Sequence, residues 1–134
     1  MSDGSLHGVV VAHGELAAAL VAETERISGQ TGVLRSVSNT GCGPEQIEER
    51  VRGAVGAGPA VLFVDMPCGS CFFAAMRVGR ERSDVRVVTG VNLPMLIKAC
   101  QIRTKPLSEV ARVVCAQGRE SVQVAGDLLS PARP

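Results

Sequence analysis

Two segments of the chain place chemically active side chains directly after runs of apolar residues. His13 follows the run Val-Val-Val-Ala and precedes Gly14, and Asp65 follows the run Ala-Val-Leu-Phe-Val. An imidazole can act as a phosphoryl acceptor or a general base near neutral pH. A carboxylate can accept the Nδ1 proton of such a ring, fix its tautomer and leave Nε2 as the nucleophile. The two residues therefore predict nucleophilic or acid–base chemistry, and a turn aspartate beside a loop histidine is the alternative.

The turn after Asp65 adds a hydroxyl group and two thiols. Its sequence is Met-Pro-Cys-Gly-Ser-Cys, ending at Cys71. Ser70 is a candidate phosphate donor or an N-cap serine. The C-x-x-C of Cys68 and Cys71 predicts either a thioredoxin-like redox site or packing by small residues. A single C-x-x-C lacks the second cysteine pair of a zinc ribbon, so no metal site is predicted.

Other candidate sites in the sequence are weaker. His7 begins the first apolar run and is expected at the opposite end of the sheet from His13, where we interpret it as structural. Gly53, Gly56 and Gly58 stand after a helix and before a strand, which is the reverse of the order in a dinucleotide fingerprint. No Walker A, G-x-S-x-G or H-E-x-x-H sequence is present. The sequence therefore predicts no cofactor.

Composition excludes several classes of protein. The 134 residues are the length of one domain, and 14 Lys and Arg against 13 Asp and Glu leave no field that would recruit nucleic acid. The apolar runs are far shorter than the roughly 20 residues that span a bilayer, so no membrane insertion is expected. Five cysteines form no disulfide framework. We expect a cytoplasmic protein with an aliphatic core.

The apolar pattern predicts four strands separated by helices. Uninterrupted apolar runs are typical of parallel strands that are covered on both faces, whereas an alternating run is typical of a strand near an edge. The predicted strands are residues 6–12, 33–38, 60–64 and 85–91, and the second of them alternates.

Helical spacing of apolar residues follows each predicted strand. Pro44, Pro94 and Pro106 are suited to the first turn of a helix, and Gly118 is predicted to end the last helix. A β-prone segment, residues 121–124, comes next. Residues 1–126 are predicted to be a single domain, and residues 127–134, with two prolines, a flexible tail.

The order β-α-β-α-β-α-β predicts the fold class. Because crossovers between parallel strands are right-handed, this order predicts an α/β fold: a doubly wound three-layer sandwich with a central, mainly parallel sheet. In such sheets ligands bind beyond the carboxyl ends of the strands, where the strand order reverses. His13 and Asp65 are expected to meet there.

Four segments together resemble the enzyme IIA component of the mannose class (mannose/fructose/sorbose family) of the bacterial phosphoenolpyruvate-dependent sugar phosphotransferase system. They are Gly-Val-Val-Val-Ala-His-Gly ending at Gly14, Val-Leu-Phe-Val-Asp leading to Ser70, Thr-Gly-Val-Asn-Leu-Pro-Met-Leu ending at Leu96, and Gly-Arg-Glu ending at Glu120. They occur in the family's order and cover residues from about 6 to 125. The third segment is the most specific.

The resemblance implies a phosphotransferase that carries a phosphoryl group. His13 would accept it on Nε2 from phospho-HPr and pass it to a IIB-type partner in sugar uptake or its regulation. Asp65 would hold the other ring nitrogen, and Gly14, Gly69 and Ser70 would bind the phosphate. No metal or nucleotide is implied, because phosphohistidine is itself a high-energy carrier.

The resemblance also implies a homodimer, in which a short C-terminal strand from residues 119–125 is exchanged. One difference is local: the family commonly has an aromatic residue and a Gly-Gly-Ser-Pro turn after the aspartate, where this chain has residues 66–71. These 134 residues contain no IIB domain, so the acceptor is a IIB-type protein or a regulatory target. Two alternatives stay open: a regulatory module that is phosphorylated as a signal without onward transfer, and a thiol redox protein that uses Cys68 and Cys71.

Overall fold

A four-stranded parallel sheet forms the centre of the protein. A computed structural model describes residues 6–129. All three strand pairs are parallel, and the order across the sheet is β2-β1-β3-β4. The strands are β1 (His7–Ala12), β2 (Leu34–Ser38), β3 (Ala60–Val64) and β4 (Val85–Thr89).

Five α-helices alternate with or follow the strands. Gly29, in the left-handed region at φ +72°, ends the first of them, because this conformation strains residues with a Cβ. The helices are α1 (Leu16–Ser28), α2 (Pro44–Val55), α3 (Ser70–Glu81), α4 (Leu93–Gln101) and α5 (Leu107–Glu120), and a 3-10 turn spans Ala125–Leu128. Within residues 6–129, no helix has both the length and the apolar character needed to cross a membrane.

Each face of the sheet is covered by its own set of helices. Val10 of β1 packs in a core with α1, α4 and α5. Val9 and Val11, on the opposite face, pack in a second core with α2 and α3. All three valines are fully buried. Successive side chains of β1 point to opposite faces of the sheet, and because both sets are apolar, helices cover both faces and produce three layers. The predicted fold class is confirmed.

One glycine in β1 is required by close packing. A Cβ added to Gly8 would lie 2.7 Å from Leu34 Cδ2 and 2.8 Å from Phe63 Cε2. Contacts this short force one of the neighbours to move. Gly8 therefore lets Leu34 of β2 and Phe63 of β3 pack over the amino-terminal end of β1.

Several predicted boundaries were wrong. β4 ends at Thr89 rather than at residue 91, although the amide of Val91 still donates to the carbonyl of Val64 at 3.1 Å. Helix α5 runs through Gly118 to Glu120, and Gly118 instead gives room to Met95 and Asn92 of the neighbouring α4 region.

The β-prone segment near the C-terminus, residues 121–124, does not form a strand in the single chain. Residues 122–124 have no regular secondary structure, and Val122 and Val124 are 78% and 72% exposed. A strand cannot form without a neighbour to receive its hydrogen bonds. Of the predicted tail, residues 130–134 lie outside the described part of the chain.

Candidate functional site

The sheet brings the carboxyl ends of β1 and β3 together. The two strands are adjacent and parallel, with Val11 opposite Val64. The residues that follow, His13 and Asp65, therefore leave the sheet at the same edge. β1 also contacts β2 on its other side, so the strand order reverses at β1, as expected for a ligand crevice in a doubly wound fold.

His13 and Asp65 are in direct contact. His13 Nδ1 lies 2.7 Å from Asp65 Oδ2, and the His13 backbone amide donates to the same oxygen at 3.0 Å. An ionised carboxylate can only accept hydrogen bonds, so Nδ1 carries the proton. In the neutral form of the ring, Nε2 then keeps its lone pair. The side chain of His13 is 38% exposed and that of Asp65 only 10%, so a buried carboxylate holds an accessible imidazole ring.

Gly69 borders the reactive edge of the ring. A Cβ placed on it would lie 3.8 Å from both His13 Nε2 and Cε1, and its φ is +89°, in the region that favours glycine. Helix α3 begins at the next residue, Ser70, and Gly69 as N-cap has no side chain with which to cap it. The amide groups of a helix's first turn have no intrahelical partner and attract anions. The space beside Nε2 thus adjoins a helix N-terminus.

The end of β2 supplies two polar groups that the sequence analysis did not single out. Gly14, at φ +61°, donates its amide to Asn39 Oδ1 at 3.0 Å. Ser38 Oγ donates to the carbonyl oxygen of Gly14 at 2.7 Å. Together these two hydrogen bonds hold the backbone of Gly14, the residue that follows His13. Their position just after a strand that neighbours β1 was the available signal, because all parallel strands end at the same edge.

Ser70 is half-buried as the first residue of α3, next to Gly69. It borders an apolar groove between α2 and α3 that also involves Pro44, Phe73 and Ala74. Phe73 is 62% exposed. The predicted site residues therefore lie at one edge of the sheet, and the groove extends from them.

The two cysteines of the C-x-x-C differ in environment. Cys68 is exposed and Cys71 is buried, and all five cysteines are free thiols. Burial, reinforced by the negative charge of Asp65, raises the pKa of the Cys71 thiol to about 11. Thiol redox catalysis requires a thiolate at working pH. The environment of Cys71 therefore disfavours the redox alternative.

The segment around Asn92 has a structural role. Asn92 caps α4 by accepting a hydrogen bond from the amide of Met95, and its side-chain amide donates to the carbonyl of Gly118 at 3.2 Å. A Cβ on Gly118 would approach Met95 Cε to 2.6 Å. The Asn-Leu-Pro-Met and Gly-Arg-Glu segments thus fasten α4 to α5.

Residues 8–114 match the protein family described as "PTS system fructose IIA component". This chain belongs to that family, the mannose-class IIA components of the phosphotransferase system. The family assignment confirms the resemblance found in the sequence.

A curated relative and two solved structures are similar to this IIA component. The sorbose-specific EIIA component of Klebsiella pneumoniae is 27% identical over 96 residues, which are 69% of this chain and 71% of that protein. EIIA from Streptococcus agalactiae superposes with a TM-score of 0.83 at 20% identity, covering 90% of this chain and 98% of that one. The mannose/sorbose-specific IIA subunit from Enterococcus faecalis gives 0.79 at 22% identity, with 90% and 94% covered. The two structures share the fold of this chain.

Membership of the family establishes the general activity. IIA components are phosphotransferases that carry a phosphoryl group in carbohydrate transport, with HPr as the donor and a IIB component as the acceptor across the family. The phosphocarrier interpretation is therefore supported over the signalling and redox alternatives.

Proposed function

We propose that His13 carries the phosphoryl group on Nε2 and that Asp65 positions the ring. The observation that carries this proposal is the 2.7 Å contact between His13 Nδ1 and Asp65 Oδ2. The lone pair of Nε2 attacks the phosphorus of phospho-HPr. A new N–P bond forms while the bond between phosphorus and the donor breaks, and the donor keeps the electron pair. The proton stays on Nδ1, where Asp65 stabilises the positive charge that develops on the ring.

The phosphate is held at the N-terminus of α3. A Cβ built on Gly69 would lie 3.8 Å from His13 Nε2, and the amides that follow Gly69 belong to a helix N-terminus, where partial positive charge favours a phosphate. The hydroxyl group of Ser70, the next residue after Gly69 in the chain, can donate a further hydrogen bond to the phosphate. Gly14 shapes the other side through a left-handed turn held by Asn39.

The partner proteins dock around the exposed edge of His13. The donor is phospho-HPr, and the acceptor is a IIB-type protein or a regulatory target in the cytoplasm. Met66 and Phe73, which flank the site, are 41% and 62% exposed, and an apolar surface of this kind is typical of a protein contact. Transfer requires such contact because a phosphoryl group cannot cross free solvent without being lost to water.

The test is reconstitution with phosphoenolpyruvate, enzyme I and HPr. We expect one acid-labile phosphate per chain, mapped by mass spectrometry to His13. Addition of a IIB-type protein should then discharge the label. A label that maps elsewhere contradicts the assignment of His13, and a label on His13 that no IIB-type protein discharges favours the regulatory target as acceptor.

We also propose a homodimer in which the segment of residues 119–125, which begins in the last turn of α5, crosses to a second copy of the chain, with residues 121–124 added as a strand to β4. Within the described residues β4 pairs with β3 alone, so it is an edge strand. Val122 and Val124 are largely exposed on a segment without secondary structure. Edge strands are a liability that proteins cover, and twofold exchange covers both edges at once.

Two truncations test this dimer and the proposed domain limit of residue 126. A chain that ends after Ser121 removes residues 122–125, the exposed part of the crossing segment, and should sediment as a monomer or aggregate. A chain that ends after Gly126 keeps the segment, and should remain a dimer that is phosphorylated at the full-length rate. A full-length chain that is monomeric at micromolar concentration, or a stable dimer after the shorter truncation, contradicts the exchange.

A further inference from the structure

Three potential metal ligands of different chemistry converge at the edge of the sheet. One ligand atom each from His13, Asp65 and Cys71 lie within 4.8 Å of one another. An imidazole nitrogen, a carboxylate oxygen and a thiol sulfur are the donor types from which zinc sites are built. Cys71 belongs to the turn in which this chain differs from its family, so this donor set is a feature of its own sequence.

A second observation points to a cation at the same place. The side chain of Asp65 is only 10% exposed, and its Oδ1 atom is buried without a hydrogen-bond partner among the described residues. A buried carboxylate oxygen without a partner is destabilising, and such groups are rare. The other oxygen, Oδ2, is already committed to the backbone and ring of His13. A bound cation would satisfy Oδ1 without breaking the backbone hydrogen bond to Oδ2.

The spacing of the three ligands suits Zn²⁺. Zinc bonds of about 2.0–2.3 Å in a tetrahedron place neighbouring ligand atoms roughly 3.3–3.6 Å apart. The three ligand atoms lie within 4.8 Å of one another, so the cluster needs a contraction of at most about 1.5 Å to reach those separations. Cys71 is fixed in the first turn of α3, and the 38% exposed His13 side chain lies on a loop, so the ring can move toward the other two ligands. The exposed side of the ring leaves a fourth position to water.

We propose that His13, Asp65 and Cys71 bind a Zn²⁺ ion that inhibits phosphoryl transfer. The thiol of Cys71 releases its proton to solvent and binds as thiolate, Asp65 binds through Oδ1, and the unprotonated ring nitrogen of neutral His13 completes the protein ligands. A soft thiolate with an imidazole favours zinc over magnesium or calcium. Because the metal takes the one in-plane lone pair of the neutral ring, which would otherwise attack phosphorus, zinc and phosphate exclude each other. This consequence rests on the proposed function of His13, whereas the binding site does not.

Metal binding is tested directly on the full-length chain after removal of bound metals under reducing conditions. Competition with a chromophoric zinc chelator should give one Zn²⁺ per chain. Co²⁺, as a spectroscopic substitute, should give tetrahedral d–d bands and a thiolate-to-cobalt charge-transfer band. Cys71→Ser should abolish that band and weaken zinc binding by at least about tenfold. Cys68→Ser, the matched control in the same motif, should leave both unchanged.

The results that overturn the site are equally specific. Wild-type protein without the charge-transfer band, or equal zinc affinity in Cys71→Ser, contradicts coordination by Cys71. Loss of binding in Cys68→Ser would assign the metal to the C-x-x-C pair instead. The cobalt spectrum of the wild type needs no variant, so the proposal stays testable even if Cys71→Ser does not fold.

Inhibition is tested with phospho-HPr that has been separated from enzyme I. Zinc at saturating concentration should slow the labelling of wild-type protein, and a chelator should restore it. Cys71→Ser should be labelled at the same rate with and without that concentration of zinc. Equal inhibition of wild type and variant contradicts inhibition through this site. Zinc binding by a chain that is never labelled, even without metal, would contradict the proposed function and leave the metal site standing.

Discussion

β1 has a histidine at each end, and the two differ in every respect that matters for chemistry. His13, at the carboxyl end, has a buried carboxylate 2.7 Å from Nδ1 and a helix N-terminus beside Nε2. His7, at the amino end, lies in a basic environment. Burial, and then the positive charges of Arg35 and Arg82, lower its pKa. The same residue type is paired with a carboxylate at one end of β1 and faces positive charge at the other.

The comparison teaches that the surroundings of an imidazole decide its use. A carboxylate fixes the tautomer and stabilises the charge that phosphorylation brings, whereas neighbouring guanidinium groups oppose a positive ring. Parallel strands collect helix N-termini at their carboxyl ends, so an anion is stabilised only there.

The largest effect is expected from replacing each histidine in turn. His13→Gln should abolish phosphorylation by phospho-HPr, because no other side chain of the site offers a ring nitrogen. His7→Gln is the matched control and should be labelled at the wild-type rate. Radiolabel incorporation measures both. Label that persists in His13→Gln, or disappears in a folded His7→Gln, would remove the functional distinction between the two ends.

The next effect concerns the partner of His13. Asp65→Ala should slow phosphoryl transfer by roughly 10–100-fold, because the ring loses its fixed tautomer and orientation. The thermal transition should remain cooperative, since the sheet and both cores are untouched. Rapid-quench labelling gives the rate and calorimetry the transition. Transfer at the wild-type rate would show that Asp65 does not position the ring.

Packing at the amino end gives a third prediction. Gly8→Ala should reduce the free energy of unfolding by about 1–3 kcal/mol, because the new methyl group meets Leu34 and Phe63. Gly53→Ala is the control: a Cβ there has no atom within 4 Å, and alanine favours the helix. Urea denaturation compares them. The folded Gly8→Ala protein should still be phosphorylated, and equal stability of the two variants would contradict the packing argument.

The smallest effect is the pH dependence that His7 adds to stability. Its folded-state pKa is below the usual 6.5, so below about pH 6.5 the unfolded chain binds more protons and stability falls as the pH falls through the folded pKa. His7→Gln should therefore lose less stability than wild type between pH 7.5 and pH 5. Denaturation midpoints at the two pH values measure this. An equal loss in both proteins would show that His7 titrates as in the unfolded chain.

Much of the fold could be predicted because its signals are local. Uninterrupted valine runs required strands covered on both faces, and only a doubly wound order provides two covers. The helix boundaries were less predictable. A glycine such as Gly118 is typical of the end of a helix, yet it lies within α5 and packs against Met95. A glycine that terminates a helix and one that admits a neighbour have the same sequence signature.

The site was predictable in part for the same reason. His13 and Asp65 each follow a buried strand, so the topology rule alone brought them to one edge. Ser38 and Asn39 were missed because they act through one hydrogen bond each to the backbone of Gly14, and no spacing along the chain announces such a bond. In the sequence, Cys71 was interpreted together with Cys68 as a C-x-x-C motif, whereas in the fold its thiol lies near His13 and Asp65.

The layers and the edge of the sheet at which the chemically active side chains collect could be predicted from the amino-acid order alone, because they follow from hydrophobic periodicity and the handedness of crossovers. Only the tertiary structure decided which oxygen of Asp65 holds the ring, which stays unpartnered, and that a thiol lies beside it. Those are differences of about an ångström between side chains on separate elements. They depend on how β1, β3 and α3 pack against one another, and the order of residues along the chain does not encode such distances locally.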